Sequence, residues 1–118
     1  MEKTKKKILV IEDYTLIQTL IKVALPSDVE LVQAFTLKEA EEKFDTEKGI
    51  THIFVDFNLH GENTKLLVIE MRKIFSGPII AISSVDDSNK ILKEAGCNYS
   101  INKGDTAIHI LDLLEKET

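Results

Sequence analysis

Three carboxylates, one hydroxyl and one ammonium group stand at or just after the ends of short apolar runs in this chain. The carboxylates belong to Glu12, Asp13 and Asp56, the hydroxyl to Ser83 and the ammonium to Lys103. Carboxylates that lie close together repel one another unless a cation lies between them. Mg²⁺ prefers hard oxygen ligands, and a lysine suits a phosphate oxygen. The set is therefore typical of phosphoryl transfer onto a carboxylate, in which a metal ion and a lysine neutralise the moving group.

Each of these residues also has an ordinary structural interpretation when it is taken alone. Asp13 could cap the N-terminus of a helix, and Asp56 could be a turn aspartate. A strand-end hydroxyl and a solvated surface charge are the corresponding interpretations of Ser83 and Lys103. The functional hypothesis depends on all of them following the correct apolar runs in one order.

Five runs predict the strands that would hold these residues. Ile8–Ile11, Ile53–Val55 and Ile79–Ile82 are continuous and apolar, which suits strands buried on both faces of a parallel sheet. Val29–Phe35 and Tyr99–Ile101 are weaker strand candidates. Ligands bind at the carboxyl ends of such strands, so the functional groups should meet at one edge of the sheet.

Helical patterns fill the intervals between these runs. The predicted helices are Tyr14–Leu25 before Pro26, one that starts with the capping box Thr36-Leu37-Lys38-Glu39, Thr64–Phe75, Ser88–Ala95 before Gly96, and a last one from about Asp105. Alternation of strands and helices predicts an α/β fold, a doubly wound parallel sheet with helices on both faces.

Apolar spacing also predicts which residues face inward. On the second helix these are Leu37, Ala40 and Phe44, on the third Leu67, Met71 and Ile74, and on the last Ala107, Ile108, Leu111 and Leu114, with Ile110 and Leu113 beyond that stripe. The first helix is apolar at Leu16, Leu20 and Val23 and again at Ile17, Ile21 and Ala24. Its apolar width favours burial over a partner surface.

Composition limits the classes of protein that remain. The net charge is −5, and positive charge is concentrated only at Lys3 and Lys5–Lys7, which we interpret as a solvated tail leading into a strand; no direct nucleic-acid binding is expected. No apolar run approaches the roughly 18 residues of a membrane span. The short run Ile8–Ile11 does not fit a signal peptide, and the single cysteine, Cys97, fits a reducing compartment. We therefore expect a cytoplasmic protein.

The chain resembles the receiver (CheY-like) domains of two-component response regulators from Lys7 to about Lys116. The matching segments are Ile8–Asp13, Phe54–Leu59, Pro78–Ser84 and Glu94–Lys103. The resemblance implies a single receiver domain over residues 1–118, with residues 1–6 as a basic tail. It also implies a flavodoxin-like (βα)5 fold with five parallel strands in the order 2-1-3-4-5.

The resemblance further implies roles for individual residues. Asp56 would be the phosphoacceptor, and Ser83 and Lys103 would bond the phosphoryl group. Mg²⁺ would be held by Asp13 directly, by Glu12 through water, by Asp56, and by the main-chain carbonyl of Asn58. Phosphorylation would be stoichiometric, so the protein would not be a turnover enzyme.

The resemblance also implies partners. A sensor histidine kinase or phosphotransfer protein would donate the phosphoryl group and would contact Tyr14, Thr15 and Gln18. A downstream effector would read the signal. Independently of the resemblance, the last helix is broadly apolar, which fits a dimerisation or effector face as well as simple burial. The three histidines, His52, His60 and His109, are expected at the surface or at an edge.

Four positions depart from the family pattern. His60 stands where proline is usual, Ser84 where alanine or glycine is usual, Ser100 where an aromatic ring is frequent, and Gly104 where a cis proline is frequent. Ser100 removes the ring whose movement usually accompanies that of the hydroxyl residue, and the adjacent Tyr99 should point to the opposite face of its strand. We expect the conformational change on phosphorylation to occur instead in the Ser84–Asn89 loop, aided by Gly104.

Two other classes compete with this interpretation. A haloacid-dehalogenase-type hydrolase needs an acid two residues after its aspartate nucleophile, and Asn58 occupies that position. A pseudo-receiver that acts as an unphosphorylated interaction module is compatible with Ser100 and Gly104. The intact set of carboxylates and Lys103 favours the phospho-accepting form.

Overall fold

The structure is a computed structural model that describes residues 5–116. Its strands are β1 (Lys7–Ile11), β2 (Glu30–Ala34), β3 (His52–Val55), β4 (Asn58–Leu59), β5 (Glu62–Asn63), β6 (Ile79–Ile82) and β7 (Tyr99–Ile101). Five of them form a parallel main sheet in the spatial order β2-β1-β3-β6-β7, and β4 and β5 form a separate antiparallel ribbon. The flavodoxin-like order 2-1-3-4-5 is confirmed, since the ribbon lies outside the main sheet.

Side chains of the central strands alternate between two apolar layers. Leu9 and Ile11 of β1 face one layer, and Ile8 and Val10 face the other, as the period of two in a strand requires. The central strands β1, β3 and β6 are almost fully buried. This burial on both faces is the reason that their sequences are continuous apolar runs.

Five helices cover the sheet: α1 (Thr15–Ala24), α2 (Leu37–Thr46), α3 (Lys65–Ile74), α4 (Asp86–Ala95) and α5 (Thr106–Lys116). The capping box at α2 is present, because Thr36 Oγ1 accepts a hydrogen bond from the Glu39 N–H over 3.0 Å. Glu39 reaches back to the N–H of Phe35 rather than that of Thr36. Gly96 ends α4 with a φ of +140°, a value that glycine tolerates better than other residues.

The predicted inward stripes of α3 and α5, and the expected burial of α1 across its whole apolar width, need correction. On α3, Ile74 is 79% exposed and Val68 is buried in addition to Leu67 and Met71. On α1, the buried residues are Ile17, Gln18 and Ile21, whereas Leu16, Leu20 and Val23 are exposed. On α5, Ile110 and Leu114 are buried, whereas Ile108 and Leu111 are exposed. These helices are apolar around much of their circumference, so spacing alone did not determine which side faces the sheet.

Two predictions about polar residues are also wrong. Lys7 is not a solvated tail residue, because its Nζ lies 2.9 Å from a Glu47 carboxylate oxygen and donates to the Lys48 carbonyl. His52 is buried within β3, and its Nδ1 lies 2.8 Å from the Thr51 hydroxyl. Lys3 lies outside the described residues. Within residues 5–116, no helix has the length and apolar character needed to cross a membrane.

Candidate functional site

Glu12 and Asp56 are positioned by main-chain hydrogen bonds that continue the sheet beyond its strands. The Glu12 N–H donates to the Ala34 carbonyl over 3.0 Å, and the Asp56 N–H donates to the Ile11 carbonyl over 2.9 Å. Both residues therefore leave the sheet at the same edge. Carboxylate oxygens of Glu12, Asp13 and Asp56 all lie within 4.8 Å of one another.

Lys103 reaches this cluster from the end of β7, which is an edge strand of the main sheet. It begins a short 3₁₀ turn after β7. Its Nζ lies 2.7 Å from Asp56 Oδ2 and 3.0 Å from Glu12 Oε1. Burial lowers the pKa of Lys103, but hydrogen bonds and Coulombic attraction from Asp56 and Glu12 outweigh this and hold the pKa above its usual value. The lysine is therefore a permanent positive charge beside the cluster.

The two carboxylate oxygens of Asp56 have different partners. Oδ1 accepts a hydrogen bond from the Phe57 N–H over 2.8 Å, and Oδ2 accepts one from Lys103. Thr64, which is fully buried, donates from its hydroxyl to the Asp56 carbonyl over 2.7 Å. Together with the main-chain bond to Ile11, Asp56 is thus held by four hydrogen bonds, and the residue is 3% exposed.

Glu12 carries the strongest electrostatic perturbation of the site. Burial raises the pKa of Glu12 to about 8, the neighbouring Asp56 adds to the rise, and Lys103 offsets part of it. Its side chain has no exposed surface, and within the described residues Oε2 has no hydrogen-bond partner. A buried carboxylate oxygen without a donor suits a cation or its bound water. The acidic cluster could therefore bind a metal ion.

Asp13 does not cap α1, because Tyr14 occupies the N-cap position without a side-chain hydrogen bond. Asp13 Oδ2 instead accepts from the His60 N–H over 3.0 Å, with His60 Nδ1 at 3.7 Å. His60 and Gly61 have φ of +51° and +87°, the pattern of a type I′ hairpin turn. The turn between β4 and β5 therefore aims a main-chain donor at Asp13.

Asn58 lies at the start of this ribbon, opposite Asn63. The neighbouring residues Phe57 and Thr64 share a main-chain hydrogen bond of 2.9 Å. Because hydrogen-bonded and non-bonded pairs alternate in antiparallel ribbons, the Asn58 carbonyl is directed away from Asn63. The Asn58 side chain accepts from the Gly61 N–H over 2.8 Å. The carbonyl is thus not used in pairing with Asn63, and the side chain stabilises the turn.

Ser83 follows β6 directly and is 6% exposed. Its hydroxyl accepts from the Val85 N–H over 3.1 Å. The buried side chain of Asn89 bonds both the N–H and the carbonyl of Ser83, each over 3.0 Å. The first turn of α4 is thereby tied to the end of β6. The predicted Ser84–Asn89 loop is shorter than expected, since α4 already starts at Asp86.

An open cavity of about 530 Å³ connects these groups. Its lining includes all the predicted site residues except Glu12, together with His60: Asp13, Asp56, Phe57, Asn58, His60, Gly61, Ser83, Ser84, Val85, Ser88 and Lys103. Glu12 lies beneath, with its side chain buried. The structure therefore brings together every residue that the sequence assigned to the site.

Ser100, one of the positions that depart from the receiver-domain pattern, lies on the opposite side of β7 from Tyr99. Tyr99 packs against the apolar layer that contains α1 and α5, whereas Ser100 is exposed and lines a cleft beside α4. The prediction that Tyr99 points to the opposite face is consistent with this alternation. No peptide bond within residues 5–116 is cis. The bond before Gly104 is therefore trans.

Three side chains that organise the site were missed or misassigned. The sequence did not identify Thr64 or Asn89 as site residues. Gln18 was expected to contact a phosphodonor, but it is 1% exposed. Its Nε2 donates to the carbonyls of Val10, Glu12 and Ala34 over 3.0–3.2 Å. A polar residue between the two inward isoleucines of α1 was the available signal for a buried amide.

Solved structures of receiver domains are similar to this chain. The BeF3-activated N-terminal receiver domain of RstA from Klebsiella pneumoniae matches with a TM-score of 0.82 and 27% identity, over 95% of this chain and 97% of that one. A CheY-like receiver domain protein from Methanospirillum hungatei matches with a TM-score of 0.82 and 21% identity, over 94% and 91%. A Burkholderia pseudomallei response regulator with a phosphorylated aspartic acid, calcium ion and citrate matches with a TM-score of 0.77 and 19% identity, over 96% and 73%.

No protein-family model and no curated protein matches the sequence. The structural matches cover nearly the whole chain, and many of them are CheY-like receiver domains. The chain therefore has the fold of response-regulator receiver domains.

Proposed function

We propose that this protein is a phospho-accepting receiver domain of a two-component signalling system. Asp56 would accept a phosphoryl group from a phosphorylated histidine of a sensor kinase or phosphotransfer protein, and the change would be read by a downstream effector. The observation that carries the proposal is the position of Lys103 Nζ, 2.7 Å from Asp56 Oδ2 in an open cavity beside two further carboxylates.

Mg²⁺ fits the residues present at this site. Asp13, Asp56 and the Asn58 carbonyl would hold it, and Glu12 would bond its water, since the buried Glu12 Oε2 has no donor among the described residues. When bound, Mg²⁺ supplies charge neutralisation for the transferring phosphoryl group. The similar Burkholderia pseudomallei response regulator contains a calcium ion together with a phosphorylated aspartic acid, which supports a divalent cation in the proposed function of this chain.

Besides Mg²⁺, the proposed transfer needs only groups that the chain already places. A carboxylate oxygen of Asp56 attacks phosphorus, an O–P bond forms, and the N–P bond of the donor phosphohistidine breaks. The departing imidazole nitrogen takes the bonding electron pair, and its charge is balanced by proton exchange with solvent. Lys103 would stabilise negative charge on the phosphoryl oxygens, and the Ser83 hydroxyl, which lines the same cavity, would donate to another.

Exposed residues beside the site support the proposal that a phosphodonor protein can approach it. Tyr14 is 54% exposed, and Thr15 and Leu16 are also exposed at the start of α1. We propose that the donor contacts this end of α1, without Gln18, which is buried. Ile108 and Leu111 are the exposed apolar residues of α5, so a homodimer through the last helix would use them rather than Ile110 or Leu113.

The same geometry disfavours the hydrolase alternative. The Asn58 side chain is an amide that bonds the Gly61 N–H, so it supplies no acid–base group two residues after Asp56. We therefore propose that each chain accepts one phosphoryl group without catalytic turnover. We also propose that the protein is cytoplasmic. A pseudo-receiver would share the fold but would not be modified at Asp56.

Phosphorylation is tested by incubation with acetyl phosphate and Mg²⁺, followed by intact mass measurement. We expect the mass of one added phosphoryl group, lost on treatment with hydroxylamine and absent when EDTA replaces Mg²⁺. Asp56→Asn should abolish the addition, and Asp45→Asn, which alters an exposed aspartate on α2, should not. Equal modification of Asp56→Asn and wild type would overturn the assignment of Asp56. No modification of a folded wild-type chain would favour the pseudo-receiver.

A further inference from the structure

A second surface feature lies between α2 and α3, away from the phosphorylation cavity. It is a groove of about 530 Å³ with an apolar floor and a charged rim, here called the α2–α3 groove. Its floor is formed by Phe44, Leu67, Met71 and Ile74, and its rim by Glu41, Glu42, Asp45, Glu70 and Lys73. Most of these residues belong to the C-terminal halves of the two helices. Helices of a parallel βα sheet run back toward the amino ends of the strands, so the groove is remote from Asp56.

The floor of the α2–α3 groove continues into exposed apolar surface. Ile74 is 79% exposed and Leu66 is 72% exposed. These two residues lie two helical turns apart with Glu70 midway between them, so they share one side of α3. Single exposed leucines and isoleucines are common. Here the exposed Ile74 is itself part of the groove lining, and a concave apolar surface of this kind can receive an apolar side chain of a partner.

The rim of the groove is strongly acidic. Four of its five charged residues are carboxylates, and the one lysine, Lys73, lies 3.1 Å from Glu70. Within residues 5–116, no lysine or arginine forms an ion pair with Glu41, Glu42 or Asp45. The surface therefore presents uncompensated negative charge around an apolar centre.

We propose that the α2–α3 groove binds a basic amphipathic helix of a partner protein. An apolar side chain of that helix would occupy the space above Met71 and Ile74, and its lysines or arginines would face the carboxylates of the rim. Such charge complementarity speeds association and selects among partners, and helix-in-groove recognition uses this combination of apolar anchors and flanking charge.

The charge of the rim also argues against other occupants. A second copy of this chain would bring two acidic rims together in a symmetric contact, and like charges across an interface are unfavourable. Nucleic acid and anionic lipid surfaces would be repelled by the same carboxylates. A basic segment of another protein is the occupant that both the apolar floor and the rim favour.

The test uses a fluorescein-labelled synthetic peptide of leucine and lysine at helical spacing, about 15 residues long so that it can form a helix. Its binding to the full chain is measured by fluorescence anisotropy and mapped by amide chemical shifts. We expect saturable binding, with shifts concentrated in residues 41–46 and 66–75. A peptide in which glutamate replaces lysine should not bind.

Matched variants decide whether the groove itself is responsible. Ile74→Asp should weaken binding about tenfold, the loss expected for an apolar anchor, whereas Val23→Asp should not, although Val23 is 78% exposed on α1. Asp45→Lys should weaken binding, whereas Asp112→Lys, at an exposed position of α5, should not. Asp56→Asn should bind as the wild type does, so this result is independent of phosphorylation.

Four results would overturn the proposal. Equal weakening by Asp45→Lys and Asp112→Lys would mean that binding depends only on the net charge of the protein. Equal weakening by Ile74→Asp and Val23→Asp would mean that the groove does not supply the apolar anchor. Shifts centred outside α2 and α3 would place the site elsewhere. Self-association of the wild type that Ile74→Asp abolishes, measured by sedimentation, would make a second copy the occupant.

Discussion

The ammonium group of Lys103 lies 3.0 Å from Glu12 Oε1, although four of the five strands of the main sheet separate the two residues along the chain. Glu12 is completely buried, and its second oxygen has no hydrogen-bond partner among the described residues. One lysine therefore serves two carboxylates, since it also bonds Asp56. Without a metal ion the site holds more negative than positive charge in a partly desolvated environment, which is costly for the folded state.

This imbalance predicts a pH-dependent stability in the absence of Mg²⁺. The pKa of Glu12 is about 8 in the folded protein, against an ordinary value of 4.5. A group with a raised pKa binds its proton more tightly when folded, so its stabilising contribution is full below about pH 4.5 and is lost as the pH rises to about 8. We expect the free energy of unfolding in EDTA to fall by an amount on the order of a few kcal/mol across this range.

The control for this pH dependence is Glu12→Gln, which removes the titrating carboxyl with little change in shape. Urea denaturation of both proteins at several pH values measures the effect. The variant should lose most of the slope between pH 4.5 and pH 8. The same slope in both proteins would show that another group is responsible. Lys103 also has a raised pKa, but its contribution is lost only above its ordinary pKa of 10.5.

Mg²⁺ affinity should depend more on Asp13 than on Glu12. Asp13 is partly exposed to the cavity and is a candidate direct ligand, whereas Glu12 is buried below it and would act through water. Direct ligands dominate binding at hard-cation sites, so Asp13→Ala should weaken binding by at least about tenfold more than Glu12→Ala, equivalent to about 1.4 kcal/mol. Calorimetric titration measures both, and equal losses would mean that the two shells are assigned wrongly.

Proline, which is usual at this position in receiver domains, should destabilise the turn when it replaces His60. The φ of His60 is +51°, whereas proline is confined to about −65° and has no N–H to donate to Asp13. We expect His60→Pro to lower the free energy of unfolding by more than about 1 kcal/mol. His60→Gly should be tolerated, because glycine adopts positive φ readily. Urea denaturation measures both variants, and a fully stable proline variant would contradict the turn geometry.

We expect the proposed phosphorylation of Asp56 to change the conformation of the β6–α4 connection. Ser100 supplies no ring to move, while Ser84 and Val85 are exposed between the Ser83 hydroxyl and the Asn89 tether. A bond from Ser83 to a phosphoryl oxygen would compete with its bond to the Val85 N–H, so amide exchange should change at residues 84–89. Hydrogen exchange with and without beryllofluoride measures this. Changed protection at residues 99–101 with an unchanged 84–89 segment would contradict it.

The strands and the edge that collects the functional groups were predictable from the sequence. Ile8–Ile11 and Ile79–Ile82 are apolar without alternation because both of their faces are buried, whereas a strand with one solvated face would alternate apolar and polar residues. Since parallel strands end at one edge, the positions of Asp56 and Lys103 after their strands were enough to predict that they meet. The structure brings them to 2.7 Å.

Other features depended on neighbours that are distant in the sequence. The β4–β5 ribbon has only two residues in each strand, too few for a periodic pattern, and it is held partly by bonds to Asp13 and from Thr64. The roles of Gln18 and Asn89 required knowing which main-chain carbonyls lie beside them. Propensity reports the conformation of a segment but not the partners of a buried amide.

Sequence alone therefore determined the order of the five main strands and the five helices, and the chemical groups at the ends of those strands, because local periodicity and chain direction are sufficient for both. The tertiary structure decided which sides of α1, α3 and α5 are covered. Those helices are apolar on more than one side, and the free energy gained by burial is similar for several rotations about the helix axis. The neighbouring helices select one rotation, which buries Val68 and leaves Ile74 exposed beside the acidic rim.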